Sequence, residues 1–285
     1  MRYGTVCSGV EAFGPAWKAM GYECAFQAEI APHPTAVLRF HYPDIPNYGD
    51  FTTIHTERID LLAGGTPCQD FSINGLRKGM AGSKGLLTFE FVGLAERLRP
   101  RWLVWENVPG VLSADNGYAF ARFLTMLADC GYYASYRVFD AQYFGVAQRR
   151  ERVFVVAHLG DWRLAAAVLF EPESLRRTAA PGVEAGHEVA GTLTATTSGA
   201  GPASRLELAS SGHLRITENA VRRLTPLEWE RLMGYPDNWT RYGTKPNGKR
   251  YEIPAAYRYQ MCGNGWATDV ANWIAARIKM VDALL

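Results

Sequence analysis

The sequence predicts an α/β protein built around a doubly wound, mostly parallel sheet. Its first half alternates short apolar runs with stretches of helical periodicity, the order expected when helices cover both faces of such a sheet. The chain has 285 residues, of which 48% are apolar, so it can form a large core domain and a smaller second part.

The expected elements follow one another along this first half. Strand Tyr3–Cys7 leads into helix Glu11–Met20, whose apolar side chains share one side, and then into strand Cys24–Ile30. The later elements are strands at Asp60–Ala63 and Arg101–Glu106, helices near Phe89–Arg99 and Tyr118–Cys130, and a closing pair of strands at Tyr133–Phe139 and Arg152–His158.

The middle of the chain has a different composition. Residues 171–228 contain no Phe, Tyr, Trp or Met, so this stretch cannot build much core of its own and is expected to be a loop-rich insertion. Order resumes at a capping box beginning with Thr225, and a last helix is expected from about Thr268. We therefore expect a large domain over 1–160, a small segment over 161–222 and a C-terminal part over 223–285.

Composition narrows the class of protein. No apolar run reaches the roughly 18 residues of a membrane span and the N-terminus lacks a signal-peptide pattern, so we expect a soluble cytoplasmic protein. Five widely spaced cysteines without a C-x-x-C pair indicate neither a disulfide framework nor a metal site. Residues 149–285 carry 18 Lys and Arg against 14 Asp and Glu, which modestly favours phosphate contact, although a solvated surface explains these charges equally well.

Three motifs carry chemistry. Cys68 follows Pro67 on a rigid turn, Glu106 ends a predicted strand, and Arg150 and Arg152 flank a glutamate. A thiolate is the side-chain nucleophile available near neutral pH, and a carboxyl whose pKa is raised by burial can supply a proton. Arginine keeps its proton, so the two arginines suit electrostatic roles. Together these residues are the parts needed to attack an electron-poor ring.

A second pattern indicates a nucleotide-like ligand. A glycine turn around Gly9 follows the first strand, and Glu29 lies 20 residues further on, at the end of the second strand. An acidic residue in that place accepts hydrogen bonds from ribose hydroxyls. There is no G-x-G-x-x-G to hold two phosphates, which favours S-adenosylmethionine over NAD or FAD.

Taken in order, these motifs resemble those of the DNA (cytosine-5)-methyltransferase family, particularly its phage and prophage members. Matching positions run from about residue 3 to residue 278. The motifs that carry the resemblance are Pro67-Cys68-Gln69, Glu106-Asn107-Val108, Gln148-x-Arg150-x-Arg152, Arg231-x-Met233-Gly234-Tyr235-Pro236-Asp237 and Gly263-Asn264.

The resemblance implies a set of residues for S-adenosylmethionine. It places Glu29 on the ribose, Asp50 near the adenine and Leu87 against the adenine ring. The full cofactor set that it implies is Cys7, Ser8, Gly9, Val10, Glu29, Ile30, Asp50, Phe51, Pro67, Leu87, Asn264 and Trp266. Most relatives have a glycine-rich Phe-Ala-Gly-x-Gly-Gly turn and a Trp after the Glu, where this chain has Cys7–Ala12 and Ile30, so adenine stacking is expected to be weaker or differently built.

The resemblance also implies the substrate, a cytosine in double-stranded DNA. Its target carbon is stacked inside the duplex, so the base must be flipped out. The glycine-rich and basic stretch Asp70–Leu87 is expected to close over DNA, and the segment 161–222 is expected to recognise the target sequence. The residues implied to contact DNA are Ser72, Asn107, Gln148 and Thr192.

Three alternatives remain beside this interpretation. RNA or tRNA cytosine methylation is the runner-up, because one branch of the same family modifies RNA. A catalytically silent DNA-binding relative is disfavoured by the presence of Cys68 and Glu106. A Rossmann oxidoreductase is disfavoured because G-x-G-x-x-G is missing.

Overall fold

The computed structural model describes residues 1–67, 87–170, 214–217 and 220–285. Three residues singled out from the sequence, Cys68, Ser72 and Thr192, lie outside these ranges. Within them no helix is long and apolar enough to cross a membrane. The described ranges also contain no group of three or more His, Cys, Asp or Glu side chains that could hold a metal ion.

The main sheet has six strands in the order β2-β1-β3-β4-β6-β5. These strands are β1 Arg2–Val6, β2 Glu23–Ala28, β3 Leu61–Gly64, β4 Trp102–Asn107, β5 Tyr132–Asp140 and β6 Glu151–Leu159. Neighbours among β1 to β4 pair in parallel, whereas β6 pairs antiparallel with both β4 and β5. The predicted doubly wound, mostly parallel sheet and its closing pair of strands are confirmed.

Helices cover both faces of this sheet and continue into the C-terminal part. They are α1 Gly14–Ala19, α2 Pro32–His41, α3 Leu87–Leu98, α4 Tyr118–Asp129, α5 Trp162–Leu169, α6 Pro226–Leu232, α7 Ala255–Asn264 and α8 Thr268–Asp282. The predicted capping box of α6 is present, with Thr225 and Glu228 each bonding to the other's backbone and Pro226 in the first turn.

Alternation along the strands divides the core into two clusters, one on each face of the sheet. In β4, Leu103 and Trp105 face a cluster with Phe91 and Phe123, while Trp102 faces a cluster that contains Ile274. All the residues of β4 are buried, as expected for a central strand covered on both sides. This arrangement fixes where the carboxyl ends of β1, β3 and β4 meet.

Some elements differ from the sequence prediction. Helix α1 begins at Gly14 rather than Glu11, because positive φ angles at Gly9 and Glu11 keep the preceding turn out of the helical conformation. Two antiparallel hairpins were not predicted, β7 Leu214–Thr217 with β8 Ala220–Arg223, and β9 Tyr242–Thr244 with β10 Arg250–Glu252.

Helix α5 lies in the range expected to belong to the small segment. Its buried residues Val168 and Leu169 nevertheless join the second core cluster, beside residues of α8. The Arg137 guanidinium donates a 3.0 Å hydrogen bond to the Leu169 carbonyl and ties the end of α5 to β5. The division of the chain at residue 160 itself stays a prediction.

Candidate active site

A pocket opens at the edge of the sheet where the parallel strands β1, β3 and β4 end. Such edges collect the loops that follow each strand and are the usual ligand sites of open α/β sheets. The lining residues are Thr5–Phe13, Ala63–Gly65, Glu106, Tyr235 and Asn264–Trp266. Seven of the predicted site residues are therefore brought together here, namely Cys7, Ser8, Gly9, Val10, Glu106, Asn264 and Trp266.

The turn after β1 is shaped by three residues with left-handed backbone angles. The φ angles of Cys7, Gly9 and Glu11 are 50°, 57° and 41°, of which only the one at Gly9 is free of side-chain strain. No atom lies within 4 Å of where a Cβ of Gly9 would stand. The turn therefore presents open backbone to the pocket.

Glu29 follows β2 and holds this turn in place. Its carboxylate accepts hydrogen bonds from the backbone N–H groups of Gly9, at 2.9 Å, and of Ala31, at 2.8 Å. Burial raises the pKa of Glu29, while the two N–H donors act in the opposite direction. A carboxylate has about four acceptor sites, so its oxygens can also accept bonds from ligand hydroxyls.

Glu106 lines the pocket near the end of β4, whereas Glu29 is not among the lining residues. It is 8% exposed, and its Oε1 lies 3.1 Å from Nε of Arg152. Burial raises the pKa of Glu106, and the positive charges of Arg152 and Arg150 lower it. The carboxyl is thus subject to two opposing effects.

Arg150 braces the loop that closes the pocket. Its Nη2 donates hydrogen bonds to the carbonyls of Gly263, at 3.1 Å, and Gly265, at 2.7 Å, on either side of Asn264. Burial and the neighbouring Arg152 lower the pKa of Arg150 to about 10, so the guanidinium keeps its charge at neutral pH. In this structure Arg150 is a support for the pocket loop as well as a charge near Glu106.

Trp266 forms the aromatic wall of the pocket. Its ring stacks on Phe13 with 5.6 Å between centroids and meets Phe154 edge-on at 5.5 Å. A Cβ added to Gly65 would lie 2.9 Å from Oε2 of Glu106 and 3.1 Å from Nε1 of Trp266. Only glycine allows the backbone to pass between these two side chains. Gly65 therefore sets the distance between the Glu106 carboxyl and the Trp266 indole.

Asn107 and Gln148 are buried and bond within the protein. The Asn107 amide donates to the Thr66 carbonyl at 2.9 Å and accepts from the Val108 N–H at 2.9 Å. Gln148 donates to the Leu232 carbonyl at 2.8 Å. Their predicted contacts with DNA stay predictions, and both amides have a structural function here.

The remaining predicted cofactor residues lie outside the lining of this pocket. Ile30 is 76% exposed, and the Asp50 side chain caps the short 3₁₀ helix Phe51–Thr53 by accepting from the Thr52 N–H. Phe51 packs into the first core cluster, Leu87 lies against the same cluster, and Pro67 is exposed. Their roles in cofactor binding stay predictions.

Glu11 and Tyr235 are polar lining residues to which the sequence gave no role in the site. Glu11 is 2% exposed and accepts bonds from the Tyr3 hydroxyl, at 2.7 Å, and the Thr5 hydroxyl, at 2.8 Å. Tyr235 lies so close to Gly265 that a Cβ there would be 1.9 Å from its hydroxyl. The Arg231–Asp237 motif contained Tyr235 but gave no role for it, and nothing in the spacing of the sequence pointed to Glu11.

These residues fit S-adenosylmethionine. The open turn at Gly9 leaves room for the backbone to approach a ligand, Glu29 offers acceptor oxygens to ribose hydroxyls, and Trp266 supplies an aromatic wall. The lining also includes the carboxyl groups of Glu11 and Glu106, whose oxygens can bond to polar groups of a ligand.

Comparison with known proteins also indicates a methyltransferase. The family model described as C-5 cytosine-specific DNA methylase matches residues 1–181 and 184–280. A protein of Escherichia phage P1, named DNA N-6-adenine-methyltransferase, is 41% identical over 63% of this chain and 31% of its own length. Type II methyltransferase M2.BsuMI of Bacillus subtilis is 28% identical over 98% of this chain and 75% of its own length. For the phage P1 protein and for M.NgoBV of Neisseria gonorrhoeae, the match thus spans only about a third of the relative, 31% and 36%.

Solved structures show the same fold. The chain is similar to the Dnmt2 methyltransferase of S. pombe, with a TM-score of 0.70 at 15% identity over 99% of both chains. It is also similar to a putative DNA modification methyltransferase encoded within an E. coli prophage, with a TM-score of 0.67 at 16% identity over 99% of both chains. At these identities the likeness concerns the fold alone.

Proposed function

Because the chain belongs to the C-5 cytosine-specific DNA methylase family, we propose that it transfers a methyl group from S-adenosylmethionine to carbon 5 of cytosine in duplex DNA. The observation that carries this proposal is the buried Glu106 carboxyl, paired with Arg152 at 3.1 Å and lining the same pocket as the Gly9 turn. The pocket thus combines a proton donor with a cofactor site, as this reaction requires.

Cys68 is the proposed nucleophile, on the strength of its sequence motif. Carbon 5 of cytosine is a poor nucleophile because its electrons belong to the aromatic ring. The Cys68 thiolate forms a bond to carbon 6, the π electrons of the ring move towards nitrogen 3, and carbon 5 becomes enamine-like. After methylation the proton on carbon 5 leaves as a base takes it, and the sulfur–carbon bond breaks. When bound, S-adenosylmethionine supplies the methyl group.

Glu106 is the proposed acid that gives nitrogen 3 its proton. A general acid works best when its pKa lies near the working pH, and burial raises the pKa of Glu106 in that direction. The positive charge of Arg152 lowers the pKa of Glu106 and so opposes the effect of burial. The ion pair also fixes the orientation of the carboxyl. Arg152 thereby serves Glu106, and its remaining N–H groups are suited to the carbonyl oxygen of the base.

Much of the proposed recognition of the substrate rests on residues outside the described ranges. The target carbon is inaccessible in a stacked duplex, so the proposed mechanism includes flipping the cytosine into the pocket. Ser72, Asn107, Gln148 and Thr192 are the proposed DNA contacts, and 161–222 is the proposed target-recognition segment. Because a thiolate nucleophile must stay reduced, the proposed location is the cytoplasm.

The product of the reaction tests this proposal. The purified chain is incubated with labelled S-adenosylmethionine and with duplex DNA or tRNA, and the modified nucleosides are separated by mass. We expect 5-methylcytosine in DNA. Formation of N6-methyladenine, which the name of the phage P1 relative suggests for that protein, would overturn the proposed chemistry, and methylation of tRNA alone would overturn the proposed substrate.

A further inference from the structure

Thr66 is the most tightly held residue of the loop that leads from β3 to the proposed nucleophile. It is 3% exposed, and three different residues bond to it. Its hydroxyl accepts from Trp105 Nε1 at 3.0 Å and bonds to the Thr88 hydroxyl at 2.7 Å. Its carbonyl accepts from the Asn107 amide at 2.9 Å. Both the side chain and the backbone of Thr66 are thereby fixed.

Two of these three partners are the immediate neighbours of Glu106 in the chain. Trp105 and Asn107 lie in β4 on either side of the proposed acid, and both are buried. Alternation along a strand turns their side chains to the face opposite that of Glu106. The strand that carries the acid therefore also holds Thr66 by two hydrogen bonds.

Thr66 in turn limits where the proposed nucleophile can stand. Two residues of extended chain reach about 7 Å, so the Cα of Cys68 must lie within that distance of the Cα of Thr66. Pro67 narrows the range further because its ring fixes φ near −65°. Fixing Thr66 against β4 therefore fixes the point from which the chain reaches Cys68.

Thr88, which follows residues 68–86 in the chain, is the third bonding partner of Thr66. It lies in the first turn of α3, is 2% exposed, and directly follows Leu87, where that helix begins. The 2.7 Å bond between the two hydroxyls thus joins the last residues before this stretch to the first residues after it. Both ends are tied to one buried point beside β4.

We propose that Thr66 and Thr88 are positioning residues for Cys68, which hold the nucleophile in register with Glu106 through Trp105 and Asn107. This proposal rests on the proposed function. Neither Thr66 nor Thr88 lines the pocket, so the hydroxyl pair acts on the rate of thiolate addition through the geometry of the chain.

Isosteric substitutions separate this role from simple stabilisation. Thr66→Val keeps the shape and removes the hydroxyl, Thr66→Ser keeps the hydroxyl, and Thr88→Val removes only the partner on α3. The control is Thr125→Val, because among the described residues the exposed Thr125 hydroxyl bonds to the Ala121 carbonyl of its own helix, α4. Each variant is assayed well below its melting temperature for single-turnover adduct formation with DNA containing 5-fluorocytosine, for KM and for cofactor affinity.

We expect Thr66→Val to slow adduct formation and kcat by about 10² fold, the size of effect that a misplacement of about 1 Å has on a reacting group. Thr88→Val should slow both by about tenfold, while Thr66→Ser and Thr125→Val stay within about twofold of the unmodified enzyme. KM for DNA and the affinity for S-adenosylmethionine should change less than twofold in every variant.

Two results would overturn the proposal. One is a Thr66→Val or Thr88→Val enzyme with a lowered melting temperature and an unchanged rate of adduct formation, which would make the pair merely structural. The other is a failure of Thr66→Ser to restore the rate. If Thr66→Val does not fold, the rates of Thr88→Val and Thr66→Ser decide between the two roles. An unmodified enzyme without any methyl transfer would instead overturn the proposed function, and this positioning role with it.

Discussion

Glu11 and Glu106 are two buried acids that line one pocket, and their surroundings differ. Glu11 faces hydroxyl groups, those of Tyr3 and Thr5, and forms no ion pair among the described residues. Glu106 lies 3.1 Å from the Arg152 guanidinium. Burial is the largest cause of a raised pKa for both, but only Glu106 has positive charges that lower it again.

The difference indicates how one residue type can have two functions in one site. Burial without a cation favours the neutral form of an acid, which is suited to hydrogen bonding within the protein. An acid whose burial is opposed by arginine is influenced in both directions, and a general acid must both hold and release its proton. We therefore assign chemistry to Glu106 and a structural role to Glu11.

Of the substitutions at these acids, Glu106→Gln should lower kcat the most. The amide keeps the shape and cannot supply a proton, so we expect kcat to fall by about 10² fold or more, with the affinity for S-adenosylmethionine barely changed. Single-turnover methylation and cofactor titration measure the two quantities. If the affinity falls as far as the rate, Glu106 is a cofactor ligand and the assignment is wrong.

Removing the cation should move the pH dependence of the reaction. In Arg152→Leu the pKa of Glu106 loses its main lowering influence and rises. The protonated acid then persists to higher pH, so the fall in kcat on the alkaline side should shift upward, and the rate at the optimum should drop by about tenfold as orientation is lost. Arg163→Leu is the control, because within the described part of the chain Arg163 pairs with Asp161 on the surface. An alkaline limb that stays in place or moves down would contradict the opposing-charge account.

Glu29 offers a third environment, in which backbone N–H groups take the place of the cations. Glu29→Gln should weaken binding of S-adenosylmethionine by about tenfold, because the substitution replaces a carboxylate oxygen, an acceptor for the ribose and for the Gly9 N–H, with an amide donor. The rate at saturating cofactor should change far less. Calorimetric titration measures the affinity, and an unchanged value would remove Glu29 from the cofactor site.

The smallest effect on activity is expected for Glu11→Gln. The pKa of Glu11 is raised in the folded protein, so its contribution to stability is complete below its unfolded pKa of about 4.3 and is lost as the pH rises through the folded value. Gln imitates the protonated acid, so the variant should lose less stability than the unmodified protein as the pH rises above about 4.3, with kcat within about threefold. A variant whose melting temperature falls with pH as steeply as that of the unmodified protein would show that Glu11 is ionised and paired in the fold.

Strand ends were predictable from the sequence because their signals are local. Glu29 and Glu106 each end an apolar run, and parallel strands bring such positions to one edge. The capping box at Thr225 is likewise a pattern of neighbouring residues and is confirmed. Local periodicity and capping were sufficient for the sheet and for this part of the pocket.

Contacts between distant segments were not predictable in this way. The inward direction of the Asn107 amide depends on Thr66, 41 residues away, and the exposure of Ile30 depends on what packs around β2. Gly65 and Trp266 lie close together although they are far apart in the sequence. Such features arise from tertiary packing, which no single stretch of sequence encodes.

The most direct test of the proposed mechanism is covalent trapping on Cys68. Duplex DNA in which the target cytosine carries fluorine at carbon 5 is incubated with enzyme and S-adenosylmethionine, and peptides are mapped by mass spectrometry. Because fluorine cannot leave as the proton does, we expect a stable adduct on Cys68, and none in Cys68→Ser, which should keep its affinity for the cofactor. A Cys68→Ser enzyme that still methylates DNA, or an adduct on another residue, would contradict the mechanism.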